Sequence, residues 1–144
     1  MKNGYLHNHI SHAVERAFRQ AGGEVRREYP VNVCGRPGRI DLRVDFPFWP
    51  IACEVESTPR RVLWDIEKAR AAAAKFLLIL TPTASVAKCC RDTILPYEEQ
   101  DRLGPLGVFV LPLGALPEWI EEYLPLISPS FALAKINPSG KQKN

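Results

Sequence analysis

Apolar residues Leu6, Ile10, Ala13, Val14, Ala17, Phe18 and Ala21 recur at helical spacing and stop at Gly22-Gly23, which predicts an amphipathic helix over 5–21. Val25, Tyr29, Val31 and Val33 then broadly alternate with polar residues, the pattern of a half-buried strand. Cys34-Gly35-Arg36-Pro37-Gly38 is turn chemistry. Arg39-Ile40-Asp41-Leu42-Arg43-Val44-Asp45 alternates strictly and predicts a second strand, with Asp41 on the face opposite Ile40 and Leu42. Residues 46–50 contain two prolines and read as a turn, and residues 51–56 read as a third strand. The two short connections make the three strands an antiparallel meander.

Pro59 then opens a predicted helix over 60–75. Phe76-Leu77-Leu78-Ile79-Leu80 is a continuous apolar run closed by Thr81-Pro82, as expected of a strand buried on both faces and reached through a crossover helix. A helix over 84–92, a loop over 93–106, a short buried strand over 107–111 and an amphipathic helix over 117–124 complete the pattern. The order is helix, three strands, helix, strand, helix, strand, helix. It predicts an α/β fold with a mixed β-sheet flanked by helices. One domain over 1–137 and a flexible basic tail over 138–144 are expected.

Composition narrows the class. The chain has 144 residues, about the length of one domain. With 46% hydrophobic and 24% charged residues it is neither a disordered chain nor a fibre. No apolar run reaches the roughly 18 residues of a membrane span, and the opening Met1-Lys2-Asn3-Gly4 lacks the apolar stretch of a signal peptide. The four cysteines, Cys34, Cys53, Cys89 and Cys90, show no zinc spacing, and adjacent Cys89-Cys90 is a poor disulfide or chelate. A soluble, cytoplasmic protein with no membrane partner is expected.

The net charge of +3 hides an uneven distribution. Residues 1–75 carry 13 Lys/Arg against 9 Asp/Glu, residues 76–134 carry 3 against 7, and residues 135–144 add three lysines. A basic N-terminal half fits an anionic partner.

That basic half also holds carboxylates inside apolar runs. Glu54 and Glu56 are two apart and so point to one side of their strand. An adjacent antiparallel strand can bring Asp41 beside them. Three carboxylates so close repel one another, and a divalent cation with a taste for hard oxygen, Mg²⁺ or Mn²⁺, removes that penalty. The competing reading is a solvated sheet face on which they pair with Arg39, Arg43 or Arg60.

Gly38-Arg39-Ile40-Asp41-Leu42, followed after eleven residues by Glu54-Val55-Glu56, resembles the PD-(D/E)xK nuclease superfamily, the restriction-endonuclease-like fold. The resemblance covers about 80 residues. It implies an αβββαβ core over 5–81 and a Mg²⁺-dependent deoxyribonuclease, an endonuclease in preference to an exonuclease. It places the family's two acidic positions on Asp41 and Glu54. The family's lysine falls on Glu56, a departure that leaves Glu56 as metal ligand or general base. Lys68, on the following helix, is a candidate replacement for the missing ammonium, against a plain i,i+3 ion pair with Asp65. The first-helix acidic residue of some members falls on Glu15, with His12 sharing its helix face. A catalytically inactive nucleic-acid-binding or scaffold protein is the alternative that the Glu56 departure favours.

Arg36, Arg39, Arg60 and Arg61 flank the expected site and suit phosphate contacts. Trp49 and Trp64 suit either base stacking or core packing. His7 and His9 read as surface-helix residues. A homodimer would let so small a domain span a DNA duplex.

Overall fold

Four stripes and five apolar runs in the sequence become four helices and five strands. A computed structural model describes residues 4–46 and 49–127. Helix α1 (Gly4–Gln20) buries Ile10, Val14 and Phe18, one stripe along a single face. Gly22, at a φ of +95°, and Gly23 turn the chain out of the helix, and Gly23 N donates to Phe18 O. Strands β1 (Glu24–Val33), β2 (Arg36–Phe46) and β3 (Trp49–Val55) form the expected antiparallel meander. A 3-10 turn, Pro59–Arg61, capped by Thr58, leads into α2 (Val62–Ala71). Strand β4 (Phe76–Thr81) then lies parallel to β3, and β5 (Gly107–Pro112) parallel to β4. Helix α3 (Ala84–Glu99) connects those two, and α4 (Leu116–Ile127) follows β5. The protein is thus α/β, with a five-stranded mixed sheet in the order β1-β2-β3-β4-β5 flanked by helices.

Each face of the sheet has its own core. Leu42, Val44, Ile51, Cys53, Val55, Leu78 and Leu80 pack with α1 and α4. Ala52, Leu77, Ile79 and Val110 pack with α2 and α3. Residues 77–80 are wholly buried, as a central strand covered on both sides must be, at roughly 1.5–3 kcal/mol for each large apolar side chain. Trp49 and Trp119 belong to the first core: Trp49 packs against Phe76 at 6.0 Å and Trp119 against Phe18 at 6.4 Å. Trp49 thus takes up core packing, one of its two expected roles. Cys53 and Cys90 are buried, whereas Cys34 and Cys89 are exposed.

Three expectations need correction. Helix α3 runs through Pro96 to Glu99 rather than ending at residue 92. Proline in the final turn breaks one backbone bond, but Ala87, Cys90, Ile94 and Tyr97 continue a single apolar stripe that holds the turn to the sheet. The helix expected over 60–75 is shorter, because the first residues form the 3-10 turn and Ala73, at a φ of +56°, ends it. Finally, strict alternation fails at Asp41. Ile40 joins the α2/α3 core while Leu42 joins the α1/α4 core. The β2–β3 ladder stops at Leu42↔Cys53. On the other side the β1–β2 register skips the Glu28/Asp41 pair, where Glu28 has a φ of +50°. Released from both neighbours, β2 rotates there. The tail over 138–144 and the end of the expected domain lie outside the described residues. Among those described, no helix is long and apolar enough to cross a membrane.

Candidate functional site

The rotation at Asp41 makes the site. Where the β2–β3 ladder lapses, side chains take over its bonds. Val55 N donates to Asp41 Oδ2 at 2.8 Å, and Asp41 N reaches Glu54 Oε1 at 3.4 Å. Each strand's carboxylate thus meets the other strand's backbone N–H. Asp41 also lies 3.1 Å from His7 Nε2 of α1, and both side chains are largely buried.

Strand periodicity turns Glu54 and Glu56 beneath α2, where they are 0% and 1% exposed. Helical spacing puts Asp65 and Lys68 on the buried face of α2, beside Ile66 and Ala69. Lys68 Nζ lies 2.8 Å from Glu54 Oε2 and 3.6 Å from Asp65 Oδ1, and donates to Arg39 O at 2.6 Å. Gly38 allows this crossing: a Cβ there would stand 3.1 Å from both Lys68 Cδ and the Trp64 ring.

Among the described residues, the Lys68 ammonium lies against Glu54 and Asp65, two members of a buried carboxylate trio. Oxygens of Glu54, Glu56 and Asp65 all lie within 4.8 Å of one another, a set that could hold a metal ion. Burial, then the charge of Glu54 and the contact with Glu56, push the Asp65 carboxyl well above the usual range, while Lys68 pulls the other way. Burial, followed by the charges of Glu56 and Asp65, raises the Cys90 thiol to about 11.

The trio expected from strand spacing, Asp41 with Glu54 and Glu56, is replaced by Glu54, Glu56 and Asp65. Asp41 is turned toward the backbone of β3 instead. It lines an open groove of about 320 Å³ with Lys68, Trp64 and the guanidinium-bearing Arg36, Arg39 and Arg61. The Arg36 guanidinium sits 4.1 Å over the Trp64 ring. Arg60 is exposed on the 3-10 turn and does not line that groove.

The two helix residues expected to support the site do something else. His12 is exposed, and its Nδ1 bonds Asn8 O within α1. Glu15 ties α1 to β1 through Arg19 and Arg27. Burial works against its charge, but the two arginines outweigh it and hold the carboxyl below its usual value. One helical turn earlier, His7 is the α1 side chain that reaches Asp41. Sequence reasoning missed His7 and Asp65. Asp65 had a legible signal, since it shares a helix face with the apolar Val62, Ile66 and Ala69. His7 had none, because its contact depends on the angle between α1 and the sheet.

The raised Asp65 carboxyl has a consequence for stability. An acid whose value is higher folded than unfolded contributes stability that is present at low pH and lost as pH rises through the folded value. Asp65→Asn cannot ionise. It is expected to be more stable than the parent on the alkaline side, where the parent must ionise the buried Asp65 carboxyl. It should also flatten the dependence between about pH 5 and 8. Urea titrations of both proteins at the two pH values read this directly, and parallel pH dependences would refute it.

No family model and no curated protein matches the sequence. Among solved structures, the crystal structure of AF1548, a protein of unknown function, is similar at a TM-score of 0.48 and 14% identity. The match covers 78% of this chain and 58% of that one, so this chain spans little more than half the length of its neighbour.

Proposed function

We propose that the protein is a metal-dependent nuclease that hydrolyses DNA phosphodiester bonds, cutting internally rather than from ends. The observation that carries this is the place of Lys68. The ammonium absent from position 56 of the E-x-E element is supplied from α2, 2.8 Å from Glu54 and on the lining of a groove shared with Asp41.

The residues fit a divalent cation of the Mg²⁺ or Mn²⁺ type. Glu54, Glu56 and Asp65 bring hard carboxylate oxygens within 4.8 Å of one another, and Asp41 reaches the same strand split from β2. Such an ion supplies a bound water of lowered pKa and offsets phosphate charge.

The chain does the rest. Arg36, Arg39 and Arg61 hold the phosphate backbone along the groove, which positions a strand without reading its sequence. Lys68, fixed by Arg39 O and Glu54, lines that groove and sets a positive group beside it. His7 orients Asp41. Glu56, 1% exposed beneath α2 and within the carboxylate trio, would serve as a ligand to such an ion rather than as a base on substrate.

A second reading has its own observation. Asp41 already accepts from Val55 N, and Glu54 is 0% exposed and bonded to Lys68, so both carboxylates serve the strand split. On that reading the chain binds nucleic acid, or acts as a scaffold, without cleaving it. Incubation of supercoiled, single-stranded and branched DNA with Mg²⁺ or Mn²⁺ decides between them. The nuclease should nick the plasmid in a metal-dependent way, and Asp41→Ala should lower the rate by at least about 100-fold with DNA binding retained. Binding without cleavage of any of the three substrates supports the inactive reading.

A further inference from the structure

Trp64 is a wall common to two hollows. One is the arginine-lined groove beside Asp41. The other, of about 330 Å³, lies between α2 and the last turn of α3. Its lining includes Trp64, Tyr97, Leu103, Arg70, Arg102 and Glu67, two guanidiniums against one carboxylate.

This second hollow is built by the segment that follows α3. Asp101, at a φ of +55°, and Gly104, at +64°, turn that segment back over α2. Leu103 and Leu106 are buried by the turn and anchor it. Arg102 N donates to Tyr97 O at 2.8 Å, its guanidinium lies 4.5 Å over the Tyr97 ring, and its carbonyl accepts from Arg70. The result is a held pair of aromatic side chains, Trp64 and Tyr97, each with a guanidinium stacked on it.

We infer that this hollow takes a base of a single DNA strand whose phosphates lie along the arginine-lined groove. Flat rings offer the stacking surface that any base accepts, and guanidiniums beside them bind the flanking phosphates. The positive excess favours a polyanion over a basic or neutral apolar ligand. A duplex keeps its bases stacked inside, so the hollow favours single-stranded or unpaired substrate. The inference rests on the nuclease reading only for the identity of the polymer in the groove.

The test is fluorescence anisotropy in EDTA, where cleavage does not intervene. A labelled short oligothymidylate is compared with an abasic oligomer of the same length and charge. The parent protein should bind the oligothymidylate roughly tenfold more tightly. Tyr97→Leu should shrink that preference at least about threefold with abasic binding unchanged, and Tyr97→Phe should keep it. Arg102→Ala, at an exposed position that puts no core at risk, should weaken oligothymidylate binding. Equal affinity for the two oligomers, failure to bind either, or a preference untouched in both Tyr97→Leu and Arg102→Ala overturns the inference. Cleavage in Mg²⁺ is scored separately. Base preference without cleavage would count against the nuclease alone, and cleavage without base preference against the hollow alone.

Discussion

Lys68→Met is expected to lower both stability and cleavage sharply, and to regain stability, but not cleavage, in acid. Lys68 Nζ lies 2.8 Å from the buried carboxylate of Glu54 and 3.6 Å from that of Asp65, with Glu56 beside them. Removing one partner of a buried ion pair leaves the other charges uncompensated, at a cost of about 3–5 kcal/mol. Methionine keeps most of the volume of the stem, so packing is a minor part of the loss. The Asp65 carboxyl, which burial already holds above the usual range, takes up a proton as the pH falls and relieves part of the repulsion, so the deficit should shrink toward acid. Urea titrations across a pH series measure it. A pH-independent deficit would mean that packing, not charge, is what Lys68 provides. Cleavage at a temperature where the variant stays folded should fall by about 100- to 1000-fold, the usual size for one charge-stabilising donor.

Glu54→Gln is expected to do the reverse to stability while abolishing activity. The substitution keeps the shape and takes one negative charge from a cluster of three buried acids. The fold should be retained, with stability near pH 8 equal to the parent or higher. Lys68 keeps Arg39 O and Asp65 as partners. A neutral amide is a poor ligand for a hard divalent cation, so metal-dependent cleavage should fall by about 1000-fold or more. A stable, DNA-binding, inactive Glu54→Gln protein would separate chemistry from folding, which Lys68→Met alone cannot do. Undiminished cleavage in this variant would remove Glu54 from the chemistry.

Much of the architecture is written in local pattern. The stripe on α1, the alternation of residues 42–46 and the unbroken run over 76–80 each match one kind of element. Side-chain periods of 3.6 and 2 residues leave little choice once one face must be buried. The misreading of α3 has the same root. Pro96 is a strong local signal, but the apolar stripe from Ala87 to Tyr97 carries more free energy than one lost backbone bond.

The candidate site was legible only in part. That Glu54 and Glu56 share a face follows from strand spacing, and that Asp65 and Lys68 share one follows from helical spacing. Neither spacing says that the two faces meet. Their meeting needs the parallel crossover from β3 through α2 to β4, which lays α2 over the end of β3.

The sequence by itself determined the elements, their order and the carboxylates within them, because those depend on neighbours a few residues away. Only the tertiary structure decided which charges share a dry interior. It set Asp65 rather than Asp41 beside the two glutamates, brought His7 rather than His12 to Asp41, and supplied an ammonium from α2 to a strand that lacks one. The physical reason is the lapse of both β-ladders at Asp41. That lapse lets β2 rotate and lets side chains take the backbone's bonds, and it arises between strands rather than within any stretch of sequence.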